Sequence, residues 1–424
     1  MDYTRSEVAI LIAIAATLVA SIGFPSSSDL LALWLAGNFW NDGSVPELIY
    51  RGSDGLFTMR PPQPWIDTVV AEGRETAVYP FIYPPLWAWV MSKVVAISTF
   101  KSFGLFMAAA NLSMIAAMVV LVPRITQLAI PRRLYLLLAW PTASVTLPFM
   151  LALDENQPQI LVSFLILLGI ERTTRGAPIA GGAAMALAAS LKLYPVLFAV
   201  FWLAGGERRA FTSFALMGCA LGLLSIAVAG WPMHAAFLNE IRAISGSVLY
   251  TLANYSFDPM IARHLYWDEL TRFSTEETGL KIGWHVMLKT PAWRIFDVVL
   301  QMTVVLGVSW LAWRRGTRAP FFWPAAIIAV AVVSPLTWVY HLIPALVFLP
   351  ALYGYVSPWG VVPLQVLLTF VLRSPYVYPS LGLTIMHPGG HEVAFLAVCA
   401  LGALCLWVAA LPPKRPLHLG PQSL

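Results

Sequence analysis

The sequence predicts an all-α polytopic membrane protein with about twelve transmembrane helices and one further re-entrant or juxtamembrane helix. Three observations predict it. Hydrophobic residues make up 59% of the 424 positions and charged residues only 11%, with a mean hydropathy of +0.74, more apolar surface than a water-soluble fold can hide. Apolar windows close to the length that crosses about 30 Å of hydrocarbon recur along the whole chain. Lys and Arg gather in short loops between those windows, the bias that marks cytoplasmic loops. No stretch is long and polar enough for a separate soluble domain, so residues 1–424 are expected to form one membrane domain with the loops 25–80 and 231–293 embedded in it. The formal net charge of +5 calls for no nucleic-acid partner, because the basic residues are accounted for by those loops.

In chain order, the first window is 8–24. A signal peptide is the rival reading there, with Arg5 in its n-region, but no A-x-A-like site follows and Asp2 and Glu7 spoil that region. Further spans are expected near 103–122, 134–152, 157–172, 178–191, 194–206, 211–230, 294–313, 320–334, 338–355, 359–372 and 391–411. Residues 81–98, "FIYPPLWAWVMSKVVAIS", form an additional apolar helix opened by Pro84 and Pro85. If this segment crossed the membrane, Arg124, Arg132 and Arg133 would fall outside. If it does not, those residues join Arg172/Arg175, Arg208/Arg209, Arg314/Arg315/Arg318 and Lys414/Arg415 on the cytoplasmic side with both termini. The non-spanning reading is therefore preferred. It puts 25–80, 153–159, 192–195, 231–293, 334–341 and 373–390 together on the outer face. Cys219, Cys399 and Cys405 lie in apolar spans without CxxC spacing, so neither a disulfide nor a metal site is expected.

Ionisable residues at span ends in a shared outer layer are candidates for function. Asp29 follows Ser26, Ser27 and Ser28 at the end of the first span. It reads either as a helix N-cap for "LLALWLAGNFW" or as a carboxylate able to take a proton from a hydroxyl, and one residue can do both. Lys192 interrupts a small-residue apolar stretch. It either snorkels to the interface or faces a protein cavity, where a cation suits a phosphate. Pro195 breaks the helix behind it and leaves free N–H groups that favour an anion. His341 is either a satisfied core histidine or part of the site with Ser334, Pro335 and Trp338. Gln157 stands at an outer span end where its amide can hold a sugar or phosphate. Asn254, Ser256 and Arg263 occupy the long outer loop, where Arg263 could grip a phosphate or each could be an ordinary polar loop residue. The aromatic clusters at span ends suit an interfacial belt as well as sugar stacking. No Walker A, dinucleotide or HExxH motif is present, so no cofactor is expected and nucleotide chemistry is unsupported.

In order along the chain, these features resemble the polyprenyl-phosphate-sugar-dependent glycosyltransferases of the C superfamily, and most closely glycosyltransferase family 87, which includes phosphatidylinositol-mannoside mannosyltransferases. The resemblance rests on Asp29 after the first span, the "YPP" helix (Tyr83, Pro84, Pro85), Gln157 and the "K-x-YP" break (Lys192, Tyr194, Pro195). It continues through Asn254 and Ser256 with Arg263, and through "SP-x-x-W-x-x-H" (Ser334, Pro335, Trp338, His341). It implies a C-type helical scaffold that moves a sugar, mannose being the family's best-known one, from a polyprenyl phosphate to a lipid or glycan hydroxyl with inversion. Asp29 inherits the role of general base, and Lys192, His341 and Arg263 that of holding the donor phosphate. Gln157, Tyr194, Asn254, Ser256, Tyr83 and Trp338 line the substrates. The short basic loops indicate a bacterial-type inner (plasma) membrane with the site facing outward. Two departures stand out. Asn156-Gln157 replaces the family's Gly-Gln, with Asp154 and Glu155 as second candidate bases just before it. No soluble domain is expected after the last span, which leaves acceptor recognition to the outer loops.

A multi-span transporter or lipid flippase is the main alternative. It would be expected to show two halves of matched hydropathy, whereas the large outer loops follow the first and seventh spans. A membrane scaffold without chemistry would leave the outer-face residues unexplained.

Overall fold

Helices follow the apolar windows in the predicted order, but they differ widely in length. A computed structural model describes residues 3–411 apart from 23–24, 44, 53–54, 75–76, 252, 274–283 and 372–387. By length and composition, four described helices can cross a membrane: Phe100–Ile125, Arg208–Gly246, Pro291–Arg315 and Glu392–Ala410. A fifth crossing is added if Arg132–Ser144 and Leu147–Asp154, bent by 57°, count as one. Other windows are shorter or broken, as in Pro178–Leu191, Val196–Ala204 and Phe322–Val333. The window predicted over 338–355 is one apolar but irregular helical segment, Val339–Gly354, that alternates 3-10 and α turns, with Pro344 and Pro350 each lacking a backbone donor.

Local chemistry sets the boundaries. Phe100–Ile125 opens on a capping box, Thr99 and Ser102 each accepting the other's backbone N–H at 3.2 Å. Pro291–Arg315 starts with the Thr290 hydroxyl accepting from Trp293 N at 3.3 Å and stops at Gly316, whose φ of 76° closes the helix. The 39-residue helix Arg208–Gly246 turns at Gly230, φ 72° and ψ 165°, where the predicted span ends. Helices Gln159–Thr174 and Pro178–Leu191 meet along small residues, so closely that a Cβ on Gly181 would lie 2.7 Å from the Gly169 carbonyl oxygen.

The segment 81–98 folds as Pro85–Val95, only 11 residues or about 16 Å of helix, well short of a bilayer. It packs beside Ser28–Asn41, and a Cβ on Gly37 would lie 2.7 Å from the Met91 carbonyl carbon. Loops that the charge bias places on one side are joined to one another. At the basic end, Glu7 pairs with Arg132 at 2.7 Å, Glu171 with Arg124 at 2.7 Å and Arg172 at 2.5 Å, and Glu207 with Arg318 at 2.9 Å. At the other end, residues 26–30 bind the turn at 154–157. The long loop 231–293 contains what hydropathy did not predict, a small antiparallel sheet of β1 (Ser247–Tyr250), β2 (Thr271–Phe273) and β3 (Trp284–Leu288) in the order β1-β3-β2. Its strands are too short to carry a readable period of two.

Candidate active site

The site is built where five segments converge, those that carry Asp29, Tyr83, Gln157, Lys192 with Tyr194, and Trp338 with His341. Asp29 lies in the first turn of Ser28–Asn41. Ser27, in the left-handed region at φ 57°, makes no side-chain cap. The capping role falls instead to the turn after Leu147–Asp154. Ser27 N donates to the Asp154 carbonyl at 2.9 Å and Leu30 N to the Glu155 carbonyl at 3.4 Å, and the Ser26 hydroxyl donates to the Asp154 carbonyl at 3.0 Å. Asp29 is thereby spared from capping, and its own carboxylate is held from another direction.

That holder is Gln157. Its Nε2 donates to Asp29 Oδ2, and its Oε1 accepts from Tyr83 Oη at 3.0 Å and from Gln159 N at 3.3 Å. The turn that presents Gln157 depends on Asn156, at φ 50°. The buried Asn156 amide accepts from Asn111 Nδ2 at 2.7 Å and donates to the Gly104 carbonyl at 2.8 Å. A glycine would meet the φ more cheaply, but it could not tie the turn to Phe100–Ile125. Tyr83 is fixed by Tyr50, whose hydroxyl donates to the Tyr83 carbonyl at 2.7 Å.

Lys192 ends Pro178–Leu191 in extended conformation, half-buried. Its Nζ lies 5.2 Å from the Tyr83 ring and 5.9 Å from the Tyr340 ring, within cation–π range of both. Tyr194 accepts from Gln159 Nε2 at 2.7 Å and meets the His341 ring edge-on at 5.5 Å. His341 Nδ1 is 3.0 Å from the Trp338 carbonyl. A carbonyl only accepts, so Nδ1 carries the proton and Nε2 is the position left to meet a ligand. Trp338 stacks on Tyr340 at 6.3 Å and forms the outer part of the same aromatic wall.

The electrostatics match this geometry. Burial pushes the Asp29 carboxyl up to about 7, against the pull of Lys192 and the Gln157 hydrogen bond. Burial pushes Lys192 down to about 8, opposed by Asp29. Glu155 is pushed up to about 8 by burial, then by Asp29 and Asp154. A carboxylate poised near neutrality beside a cation is suited to general-base work next to an anion-binding point.

Asp29, Tyr83, Gln157, Lys192, Tyr194, Trp338 and His341 are thus brought together. Asn254 and Ser256 are placed behind them. Asn254 is fully buried, its Oδ1 accepting from Ser256 N and Thr337 N, both at 3.1 Å, and its Nδ2 donating to the Leu249 carbonyl at 2.9 Å. It clamps the long loop 231–293 to the 334–341 segment. Ser256 Oγ reaches the Pro335 carbonyl at 3.5 Å. Arg263 stands in a separate group, ion-paired to Glu392 at 2.9 Å and lying over the Trp267 ring at 5.4 Å. The sequence reading missed Tyr340 and Gln159, which hold the wall, and the ion cluster of Lys289 with Asp258 at 2.5 Å and Asp297 at 2.7 Å. Among the described residues, no group of three or more His, Cys, Asp or Glu side chains is arranged for a metal.

Residues 81–337 match the sequence model of glycosyltransferase family 87, and that stretch includes every residue of this cluster except Asp29, Trp338, Tyr340 and His341. The chain belongs to glycosyltransferase family 87. It is a multi-pass membrane glycosyltransferase. Among solved structures it is similar to ArnT from Cupriavidus metallidurans bound to undecaprenyl phosphate, at 14% identity and a TM-score of 0.35, over 96% of this chain and 76% of that one. No curated protein matches this glycosyltransferase.

Proposed function

We propose that this glycosyltransferase moves a sugar from a polyprenyl-phosphate donor to a hydroxyl of a lipid or glycan acceptor, with inversion, on the outer face of a bacterial plasma membrane. The family resemblance makes mannose the first sugar to test. The observation that carries the reading is the placement of the Asp29 carboxylate between Gln157, which orients it, and Lys192, which supplies positive charge beside it. Asp29 takes the acceptor proton as the oxygen attacks the anomeric carbon. Lys192, and His341 through Nε2, offset the charge growing on the departing lipid phosphate, a contribution that is usually the largest in such transfers. The aromatic wall of Tyr83, Tyr194 and Tyr340 offers faces and hydroxyls to the sugar and keeps water from competing with the acceptor.

The test is transfer of labelled sugar from a synthetic short-chain polyprenyl-phosphate mannose by the purified protein in native lipid extract, wild type against Asp29→Asn. Product from wild type and none from a folded Asp29→Asn variant is the expected outcome. Full activity in Asp29→Asn would remove the base assignment and move it to Asp154 or Glu155. No product from wild type with mannose, arabinose or glucose donors would sink the donor class proposed here.

A further inference from the structure

Two residues with left-handed backbones stand just before the partners of the Gln157–Asp29 contact. Ser27, at φ 57°, lies two positions before Asp29, and Asn156, at φ 50°, one position before Gln157. Neither is glycine, which adopts this conformation at least cost. Their side chains are bonded to each other instead, Asn156 Nδ2 donating to Ser27 Oγ at 3.3 Å. The same nitrogen donates to the Gly104 carbonyl at 2.8 Å, and Asn156 Oδ1 accepts from Asn111 Nδ2 at 2.7 Å. Gly104 and Asn111 both belong to Phe100–Ile125, about two turns apart. Asn111 and Asn156 are fully buried, and Ser27 is nearly so. One buried amide thus ties the start of the Asp29 helix, the Gln157 turn and a long helix into a single joint.

Resting on the reading of Asp29 as the base, we propose that Asn156 is a positioning residue for the transfer, fixing the register between Gln157 and Asp29 against the frame of Phe100–Ile125. Asn156 touches no reacting atom. Its action runs through Gln157, whose Nε2 donates to Asp29 Oδ2 and whose Oε1 accepts from Tyr83 Oη at 3.0 Å and Gln159 N at 3.3 Å. A hydrogen bond weakens steeply with misalignment. A turn cut from its frame keeps its own backbone bonds, Asn156 N to the Leu153 carbonyl at 3.1 Å and Gln157 N to the Ala152 carbonyl at 2.8 Å, but no longer aims Gln157 at the carboxylate. The strained φ of a non-glycine residue beside a functional group is the cost of that aim.

Backbone and tie separate on substitution. Asn156→Gly meets the φ without strain and removes the side-chain bonds to Asn111, Gly104 and Ser27. With the labelled polyprenyl-phosphate mannose it should lower kcat by about ten- to a hundred-fold, the scale of a misplaced catalytic group, while donor KM stays within about two-fold. Asn111→Ala leaves the turn itself untouched and should lower kcat in the same direction, which keeps the test valid if Asn156→Gly folds poorly. The deciding measurement is a double-mutant cycle. In a Gln157→Ala background neither substitution should slow transfer further, because the tie acts through Gln157. Wild-type kcat in both single variants would overturn the proposal, and so would losses that multiply with that of Gln157→Ala, the mark of general loosening. Full activity in Asp29→Asn would overturn the base assignment and the proposal with it, whereas multiplying losses overturn the proposal alone.

Discussion

Lys192→Met tests the site's electrostatics most directly, because methionine keeps the length and apolar stem of the side chain and removes its charge. Lys192 is the leading influence that draws Asp29 down against burial. A cation within a few ångströms typically lowers a carboxyl by about 1–3 units, or about 1.4–4 kcal/mol. Removing it stabilises the neutral, protonated form, so Asp29 should rise from about 7 by that amount. Under the proposed reading the base works deprotonated, and the acid limb of kcat/KM therefore moves to higher pH. A second loss, of about 10²–10³ in kcat, is expected at every pH, because the departing phosphate also loses a preorganised positive charge. The assay is transfer measured from about pH 6 to about pH 10, with Lys192→Arg as a control that keeps the charge and therefore the limb. A Lys192→Met limb that stays where the wild type has it, or moves to lower pH, would refute the placement of Lys192 beside the base.

Gly37→Ala forces a Cβ to within 2.7 Å of the Met91 backbone and should destabilise this packing by about 1–3 kcal/mol, read as a lower Tm in detergent together with reduced transfer, since it pushes the helix of Asp29 from the helix that follows Tyr83. Asn254→Ala leaves the buried N–H groups of Ser256 and Thr337 without their acceptor, at about 1–3 kcal/mol each; thermal unfolding checks this, and an unchanged Tm would show that the clamp is dispensable. Lys289→Met strands Asp258 and Asp297 in a buried cluster and should cost about 3–5 kcal/mol. In the intact cluster burial raises Asp258 to about 6, above its unfolded value. Its contribution is therefore full below about pH 4 and declines as pH rises through about 6, a slope that pH-dependent unfolding can follow and that Asp258→Asn should remove.

Much of the site was legible because membrane physics makes polar residues conspicuous. Lys192, Gln157 and His341 each interrupt an apolar run, and the charge bias alone put them on the face that also carries Asp29. The same reasoning could not distinguish a residue that faces the cleft from one that braces it. Asn254 and Gln157 look alike as amides at loop edges, but one is consumed by backbone groups, one of them 83 residues away, and the other turns to a carboxylate. Arg263 fits a phosphate on chemistry alone; its partner Glu392 lies 129 residues further on, beyond any local pattern. Hydropathy read the window 338–355 as one apolar helix, Val339–Gly354, but could not see its mix of 3-10 and α turns, because it does not register that Pro344 and Pro350 lack backbone donors. Asp29 was read as a possible cap from its neighbours, yet the cap came from Glu155, which local sequence had no means to pair with it.

The order of charges along the cleft bears on the direction of transfer under the proposed reading. Lys192 lies beside Asp29 and acts on His341; Asp29 lies beside Glu155, and Glu155 beside Asp154. Lys192 acts on Asp29 but is not among the groups that act on Glu155, so the cation and the second carboxylate meet Asp29 from different directions. An inverting displacement needs the nucleophile and the leaving group on opposite faces of one carbon. A donor whose phosphate rests at the Lys192 end turns its far face toward Asp29 and the second carboxylate, where an anionic leaving group would be repelled and a neutral hydroxyl would not. The arrangement thus selects the orientation of the donor without reading the sugar at all. On that argument Lys192→Met raises the KM for the donor and Glu155→Gln does not. A donor KM that rises in Glu155→Gln and stays fixed in Lys192→Met would mean that the lipid phosphate lies at the opposite end.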